Sequence, residues 1–187
     1  MPIPRLEPDQ TVLLVVDIQE RLMPSIVDRH RVIANSAILI RMAHEMEIPY
    51  LVTEHYPRGL GRTVEEVTAA MADQSRRVEK TRFSAWVDMV QQQFEAWQRP
   101  SVIICGVEAH VCVLQSVLDL HAAGYQSFVC SDAISCGQRD QIPHAIRRME
   151  RAGAVTTGVL SVMYELMEDA KHPAFKALLE LAKAVEQ

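Results

Sequence analysis

Apolar runs rich in β-branched residues alternate with amphipathic stretches along this chain. The run at residues 11–16 (TVLLVV) is nearly continuous, which is typical of a strand covered on both faces and hence of a parallel sheet. In residues 31–46 the apolar positions recur at helical spacing, and Pro49 then precedes the next strand. Strands are predicted at residues 11–16, 50–53, 76–80, 101–105, 125–130 and 154–157. Helices are predicted near residues 31–46, 63–72, 85–98, 111–123 and 139–152, and from about residue 161.

This order of elements predicts an α/β fold. Repeated strand–helix–strand units with right-handed crossovers give a doubly wound, mostly parallel six-stranded sheet with helices on both faces, in a Rossmann-like arrangement. The chain has 187 residues, of which 49% are apolar, so one domain spanning residues 1–187 is predicted. In sheets of this kind, ligands bind beyond the carboxyl ends of the strands.

Composition narrows the range of partners and compartments. The 19 Lys and Arg against 24 Asp and Glu make the chain mildly acidic, and they form no basic cluster, so nucleic acid is not an expected partner. The spacing of Cys105, Cys112, Cys130 and Cys136 is neither C-x-x-C nor that of a small secreted scaffold, so reduced thiols are expected. The first residues lack a signal-peptide pattern, and no apolar run approaches membrane-spanning length. We therefore expect a cytoplasmic protein with no membrane partner.

Cys112 lies between an apolar run and a predicted helix, at the helix N-terminus. Unpaired backbone N–H groups and the helix dipole favour the thiolate there, which is the nucleophilic form of cysteine. A small buried hydrophobic residue is an equally simple interpretation, because free cysteine is among the most buried residue types.

Charged residues stand at the ends of two other predicted strands: Asp17 follows residues 11–16, and Lys80 ends residues 76–80, at the same edge of the predicted sheet. An ammonium can stabilise both a carboxylate and a thiolate, and a carboxylate can accept the thiol proton. Together with Cys112 they predict a cysteine hydrolase, and Lys80 is expected to lower the pKa of the thiol. Each residue alone has a simpler explanation, since Asp17 could cap a turn and Lys80 could be a surface charge paired with Glu79 or Asp88.

Over nearly its whole length the sequence resembles the isochorismatase-like, or cysteine-hydrolase, superfamily, which contains nicotinamidases and N-carbamoylsarcosine amidohydrolase. The motifs that carry the resemblance are residues 15–19 (VVDIQ), 79–84 (EKTRFS), 105–113 (CGVEAHVCV) and 131–135 (SDAIS). Residues 56–61 (YPRGLG) and 170–176 (AKHPAFK) look most like the isochorismatase domain-containing subgroup.

The resemblance implies that Cys112 is the nucleophile, Asp17 the base and Lys80 the residue that orients both and stabilises charge. It also implies a cis peptide bond between Val107 and Glu108, and an oxyanion hole formed by the backbone N–H groups of Glu108 and Cys112. The simpler alternative is a tight trans turn that only connects strand to helix. The reaction implied is cleavage of an amide or carbamoyl C–N bond of a small-molecule substrate through a thioester.

The chain also departs from its relatives. Nicotinamidases carry an Asp-x-His metal motif after the second strand, whereas residues 53–57 here are TEHYP, in which only His55 is a candidate ligand. We therefore expect no metal and no other cofactor. Isochorismatase itself hydrolyses a vinyl ether and lacks the nucleophilic cysteine, so Cys112 argues against that reaction. Ala109 replaces a threonine common in the turn before the nucleophile, so the side-chain contact that a threonine offers is absent.

A pocket that is apolar with a few polar groups is expected around the triad. The candidate substrate-binding residues are Ile18, Gln19, His55, Tyr56, Phe83, Trp86 and His110. Aromatic residues at a helix start are as compatible with a core as with a pocket wall.

Two alternatives to an enzyme stay open: a catalytically silent or redox-responsive member that acts through interaction, and a small-molecule binding module. Homo-oligomerisation is expected from the family. The apolar face of residues 174–185 would serve an interface or, more simply, pack on the chain's own sheet.

Overall fold

The apolar run at residues 11–16 forms an inner strand of the sheet in the computed structural model, which describes residues 3–185. Strand β1 (Thr11–Val16) is buried along its whole length and pairs in parallel with β2 (Tyr50–His55) and β4 (Ser101–Gly106). The six strands follow the order β3-β2-β1-β4-β5-β6, and every pairing is parallel. The predicted α/β fold is confirmed. Residues 1, 2, 186 and 187 of the predicted domain lie outside the described residues.

The outer strands are β3 (Arg77–Lys80), β5 (Gln126–Ile134) and β6 (Val155–Thr157). Strand β5 ends four residues beyond residue 130, where the predicted strand ended. An irregularity in the pairing after Ile104 lets Gly106 pair with Ile134, so the strand continues through the motif at residues 131–135.

Eight α-helices connect and flank the strands within the described residues. They are α1 (Arg29–Glu45), α2 (Pro57–Leu60), α3 (Glu65–Ala70), α4 (Asp88–Trp97), α5 (Leu114–Ala122), α6 (Gln141–Arg151), α7 (Val159–Met167) and α8 (Phe175–Lys183). A π-helical turn, Ala109–Val113, leads directly into α5. Short 3-10 turns occupy Pro8–Gln10, Met23–Ser25 and Gln74–Arg76. Two expectations are corrected. Residues 56–61 were expected to form a loop, but they contain α2. The helix expected from residue 85 begins at Asp88, after a turn in which the Trp86 N–H donates a hydrogen bond to Ser84 Oγ.

Two apolar clusters lie on opposite faces of the sheet, because alternate residues of β1 contribute to different clusters. Leu13 and Val15 belong to one, and Val12, Leu14 and Val16 to the other. The first cluster includes α8, whose Leu178 is fully buried. The apolar face of residues 174–185 therefore packs on the chain's own core. None of the helices in residues 3–185 is both long and apolar enough to cross a membrane.

Candidate active site

Asp17, Lys80 and Cys112 meet at the carboxyl edge of the sheet. Asp17 directly follows β1, Lys80 ends β3, and Cys112 lies in the π-helical turn after β4. Lys80 Nζ lies 2.6 Å from Asp17 Oδ2, and the Cys112 thiol is hydrogen bonded to the Asp17 carboxylate. The three residues are 0%, 4% and 6% exposed, in the order Asp17, Lys80, Cys112. A carboxylate, an ammonium and a thiol thus share one buried site.

The Lys80 ammonium has a full set of acceptors. Besides Asp17, it donates to the backbone carbonyl oxygens of Arg82 at 3.1 Å and Phe83 at 2.9 Å. A lysine ammonium has three N–H donors, so these three acceptors fix the position of the side chain. Lys80 is therefore not a surface charge paired with its sequence neighbours, and Glu79 pairs with Arg62 instead.

Asp17 adopts a left-handed backbone conformation, with φ of 53°, as the chain leaves β1. Its Oδ1 accepts a 2.6 Å hydrogen bond from Thr53 Oγ1, a buried side chain on β2. Thr53 is a site residue that sequence reasoning missed, because a threonine inside a strand carries no chemical signature. The only signal is the parallel pairing of β1 with β2, which places Thr53 beside Val16.

The Cys112 thiol is protonated at rest. Burial is the main cause that raises its pKa to about 12, and the negative charge and hydrogen bonding of Asp17 act in the same direction. The charge of Lys80 and a hydrogen bond from the Glu108 backbone N–H lower the pKa, but they are outweighed. The expected lowering by Lys80 is present, but the expected net result, a thiol with a low pKa, is wrong because desolvation and the charge of Asp17 have larger effects.

The turn between β4 and α5 holds the thiol in place. The peptide bond between Val107 and Glu108 is cis. The Glu108 carbonyl accepts hydrogen bonds from the N–H groups of Val111 at 3.0 Å and Val113 at 3.1 Å, which closes the turn around Cys112. The Glu108 N–H donates a hydrogen bond to the Cys112 sulfur.

Two of the predicted pocket residues, Gln19 and Ile18, have side chains that are buried and make contacts within the protein. Gln19 is fully buried; its Oε1 accepts from His55 N–H at 2.7 Å, and its Nε2 donates to the carbonyls of His55 and Gly61 at 3.0 and 2.7 Å. This amide ties the segment after β1 to the segment after β2. Ile18 is fully buried within one of the apolar clusters.

His55, Tyr56 and Phe83 all lie next to Lys80. His55 pairs with Lys80 across β2 and β3, and its ring centroid is 5.2 Å from that of Phe83. The His55 Nδ1 is buried without a hydrogen-bond partner among the described residues. Tyr56 and Phe83 are about half exposed, and Tyr56 borders a cleft of about 590 Å³ that also borders Lys80 and Met89.

The remaining two pocket candidates are Trp86, which packs in an apolar cluster, and His110, which lies near Glu108. Trp86 packs edge-on against Phe94 and Tyr125, with ring centroids 5.6 and 5.2 Å away, in the second apolar cluster. His110 lies in the π-helical turn, and its Nδ1 is 3.5 Å from Glu108 Oε2.

The described part of the chain contains no group of three or more His, Cys, Asp or Glu side chains arranged to hold a metal ion. His55 stands beside Lys80 and Phe83 rather than beside a second ligand. Independence from metal stays a prediction. All four cysteines are buried free thiols.

Comparison with known proteins matches this chain to one family. The isochorismatase domain family matches residues 11–159. Mouse isochorismatase domain-containing protein 2A is 36% identical over 182 residues, which cover 96% of this chain and 85% of that protein. The MAR1 ribonuclease of Caenorhabditis elegans superposes with a TM-score of 0.91 at 34% identity, over 95% of this chain and 92% of its own. Pseudomonas aeruginosa YcaC, with hexane-2,5-diol and covalent acrylamide bound, gives a TM-score of 0.89 at 25% identity, over 99% and 97%.

Proposed function

Because the chain belongs to the isochorismatase family, we propose that it is a cysteine hydrolase that cleaves the amide or carbamoyl C–N bond of a small molecule through a thioester on Cys112. The observation that carries the proposal is the position of Asp17, whose carboxylate is hydrogen bonded to both the Lys80 ammonium and the Cys112 thiol. A base in contact with a nucleophile, and itself held by a third group, is the arrangement that nucleophilic catalysis requires.

The first step couples proton transfer to attack. The thiol proton moves to Asp17 while the Cys112 sulfur forms a bond to the substrate carbonyl carbon, and the C=O π electrons move to oxygen. Because the resting thiol has a pKa of about 12, the thiolate forms only with substrate in place. This protects a buried nucleophile from reaction with other electrophiles.

The second step releases the amine. The oxyanion is held by the backbone N–H groups of Glu108 and Cys112, and losing one such donor typically costs roughly 100-fold or more in rate. As the C=O bond re-forms, the C–N bond breaks and Asp17 returns its proton to the departing nitrogen. The product on the enzyme is a thioester.

The third step resolves the thioester with water. Asp17 takes a proton from the attacking water, the new C–O bond forms, and the C–S bond breaks with return of the proton to the Cys112 sulfur. Lys80 keeps its three hydrogen bonds, to Asp17 and to two backbone carbonyls, throughout the reaction. Its role is to orient Asp17 and to offset negative charge.

A related protein supports the reactive-nucleophile part of this proposal. The YcaC structure from P. aeruginosa contains covalent acrylamide, and that chain is 25% identical to this one. A small amide attached to a relative with this fold is consistent with a nucleophile that accepts compounds of that size.

The alternative of a silent or redox-responsive protein is disfavoured by Asp17 and Lys80. A thiol that senses oxidants needs a stabilised thiolate, whereas burial and Asp17 raise the pKa of Cys112. A base aligned with the thiol serves acyl transfer better than it serves oxidation.

RNA is the substrate class to exclude, because the C. elegans relative is described as a ribonuclease. The formal net charge of −5 is unfavourable for binding a polyanion. Near the site, Arg62 is paired with Glu54 and Glu79, and Arg82 with Asp119. Cationic groups engaged in this way are less available to phosphates.

The test is intact-protein mass spectrometry of the wild type and Cys112→Ala with a panel of small amides, carbamoyl compounds and a short RNA. Cys136→Ala is the matched control, because Cys136 is also a buried free thiol near Glu108. We expect an acyl adduct that decays with amine release in the wild type and in Cys136→Ala, and none in Cys112→Ala. Cleavage of RNA that survives Cys112→Ala, with no adduct from any amide, would refute the proposal.

Two further expectations accompany this function. We propose that the protein is a cytoplasmic homo-oligomer; fractionation and light scattering after size-exclusion chromatography test these two points.

A further inference from the structure

Ser116 connects the helix of the nucleophile to the segment that holds the lysine. It lies on α5, one turn after Cys112, and is fully buried. Its hydroxyl donates to the Cys112 carbonyl oxygen at 2.6 Å and accepts from the Ala85 N–H at 2.7 Å. A buried hydroxyl that uses both its proton and a lone pair is a bridge between two backbone segments.

The segment that Ser116 grips is the one that fixes Lys80. The carbonyls of Arg82 and Phe83 accept two of the three Lys80 hydrogen bonds, and Ala85 follows Phe83 by two residues. Lys80 holds Asp17, and Asp17 is bonded to the Cys112 thiol. The path from the thiol through Asp17, Lys80, residues 82–85 and Ser116 therefore returns to Cys112 as a closed ring.

We propose that Ser116 is a positioning residue that sets the separation between the Asp17–Lys80 pair and the Cys112 sulfur. This inference rests on the proposed function. Residues 82–85 and α5 are separate parts of the chain, and misplacement of reacting groups by about 1 Å costs roughly 100-fold in rate. Without the bridge, the lysine-holding segment and the nucleophile's helix move independently, and the fraction of time spent in the reactive geometry falls.

Acrylamide is the probe, and its covalent addition to Cys112 is followed by intact mass with peptide mapping. The sulfur bonds to the terminal alkene carbon, and the thiol proton ends on the carbon next to the carbonyl, so the adduct balances without another reactant. The dependence of the rate on acrylamide concentration separates the maximal rate of addition from the half-saturating concentration. Cys112→Ala, which removes the thiol, serves as the reference for a disabled site.

We expect Ser116→Ala to lower the maximal rate about tenfold with the half-saturating concentration unchanged within twofold. Ser127→Ala is the matched control, because Ser127 is a fully buried serine whose Oγ has no hydrogen-bond partner among the described residues; it should behave as the wild type. Ser116→Thr, which keeps the hydroxyl, should recover most of the rate. Ser116→Val, which has the shape of threonine but no hydroxyl, should not. This second pair answers the question at equal side-chain volume if the alanine variant folds poorly.

The outcomes separate the two proposals. If wild-type Cys112 reacts no faster than the other three cysteines, both the proposed function and the role of Ser116 are overturned. If wild-type Cys112 labels rapidly, Cys112→Ala has no rapidly labelled cysteine, and Ser116→Ala matches Ser127→Ala, only the positioning role is overturned. A lower unfolding temperature in Ser116→Ala with an unchanged maximal rate likewise shows that the bridge is structural alone.

Discussion

The Lys80 ammonium donates a 2.6 Å hydrogen bond to the Asp17 carboxylate, and both side chains are completely buried. These residues are 63 positions apart in the sequence and meet only because β3, β2 and β1 are neighbours in the sheet. Removing one partner leaves the other as an unpaired buried charge, which is far more costly than losing an exposed ion pair.

Replacing Asp17 with Asn should therefore destabilise the fold by about 3–5 kcal/mol. The control is Asp119→Asn, which breaks the exposed pair with Arg82 and should cost about 0–1 kcal/mol. Urea denaturation at pH 7.5 measures both variants. Equal effects of the two substitutions would mean that the Asp17–Lys80 pair contributes no more than a surface contact.

The same substitution should move two reactivities in opposite directions. Asp17 raises the pKa of the Cys112 thiol, so Asp17→Asn lowers that pKa and accelerates alkylation by iodoacetamide at pH 8. Amide hydrolysis should fall by roughly 100- to 10,000-fold, because the general base is lost. A parallel loss of both reactivities would indicate that the site has collapsed, and circular dichroism of the variant checks this.

In the wild type without substrate, alkylation of Cys112 should rise with pH. Well below a pKa of about 12, the thiolate fraction grows about tenfold per pH unit, so the second-order rate constant should do the same from pH 7 to 10. The rate is obtained by quenching iodoacetamide reactions and mapping the labelled peptide. A plateau near pH 7 would show that Lys80 stabilises the thiolate more than burial and Asp17 oppose it.

The fold, and the expectation that Asp17, Lys80 and Cys112 lie at one edge of the sheet, were accessible from sequence because they depend on local patterns. Buried parallel strands read as continuous apolar runs. Asp17 and Lys80 stand at the ends of two strands, and Cys112 follows a third strand within a short turn, at the edge where such sheets bind ligands. The sequence left two kinds of partner open for Lys80: Asp17 at the same edge of the predicted sheet, and Glu79 or Asp88 nearby in sequence. Sheet order decides that contact.

The roles of Thr53 and Ser116 were not accessible, because hydroxyl side chains occur throughout any sequence and only their partners distinguish them. The thiol pKa also depends on a balance between desolvation and two nearby charges, and a helix-terminus argument omits the largest of these contributions. The length of β5 was missed because its end is set by pairing with Gly106.

His121 should make stability depend on pH. Burial lowers its pKa in the folded protein from the ordinary value of 6.5, and its Nε2 accepts from the Ser127 N–H at 3.5 Å. His121 therefore binds a proton more readily in the unfolded chain than in the folded protein. Its contribution to the free energy of unfolding is complete above pH 6.5 and is lost as pH falls from 6.5 through the lowered pKa of the folded state. From pH 7.5 to 5.5, the urea midpoint of the wild type should fall more than that of His121→Gln. Parallel midpoints in the two proteins would contradict this.

Gly106 should be irreplaceable, and the reason is the close approach of two strands below the site. Its φ is +114°, and a Cβ built there would lie 2.0 Å from the backbone oxygen of Val16, which also accepts the Val107 N–H. Gly106→Ala must displace β4 from β1 immediately before Asp17 and the turn that carries Cys112, because the obstacle is backbone and cannot rotate away.

Gly124→Ala is the matched control: its φ is +89°, and no atom lies within 4 Å of the added Cβ. The control should lose only about 1–2 kcal/mol through backbone conformation and keep its Cys112 acylation rate. Gly106→Ala should lose soluble protein or, if it folds, most of that rate. Similar melting temperatures and acylation rates for the two variants would show that the sheet absorbs the displacement without moving Asp17 or Cys112.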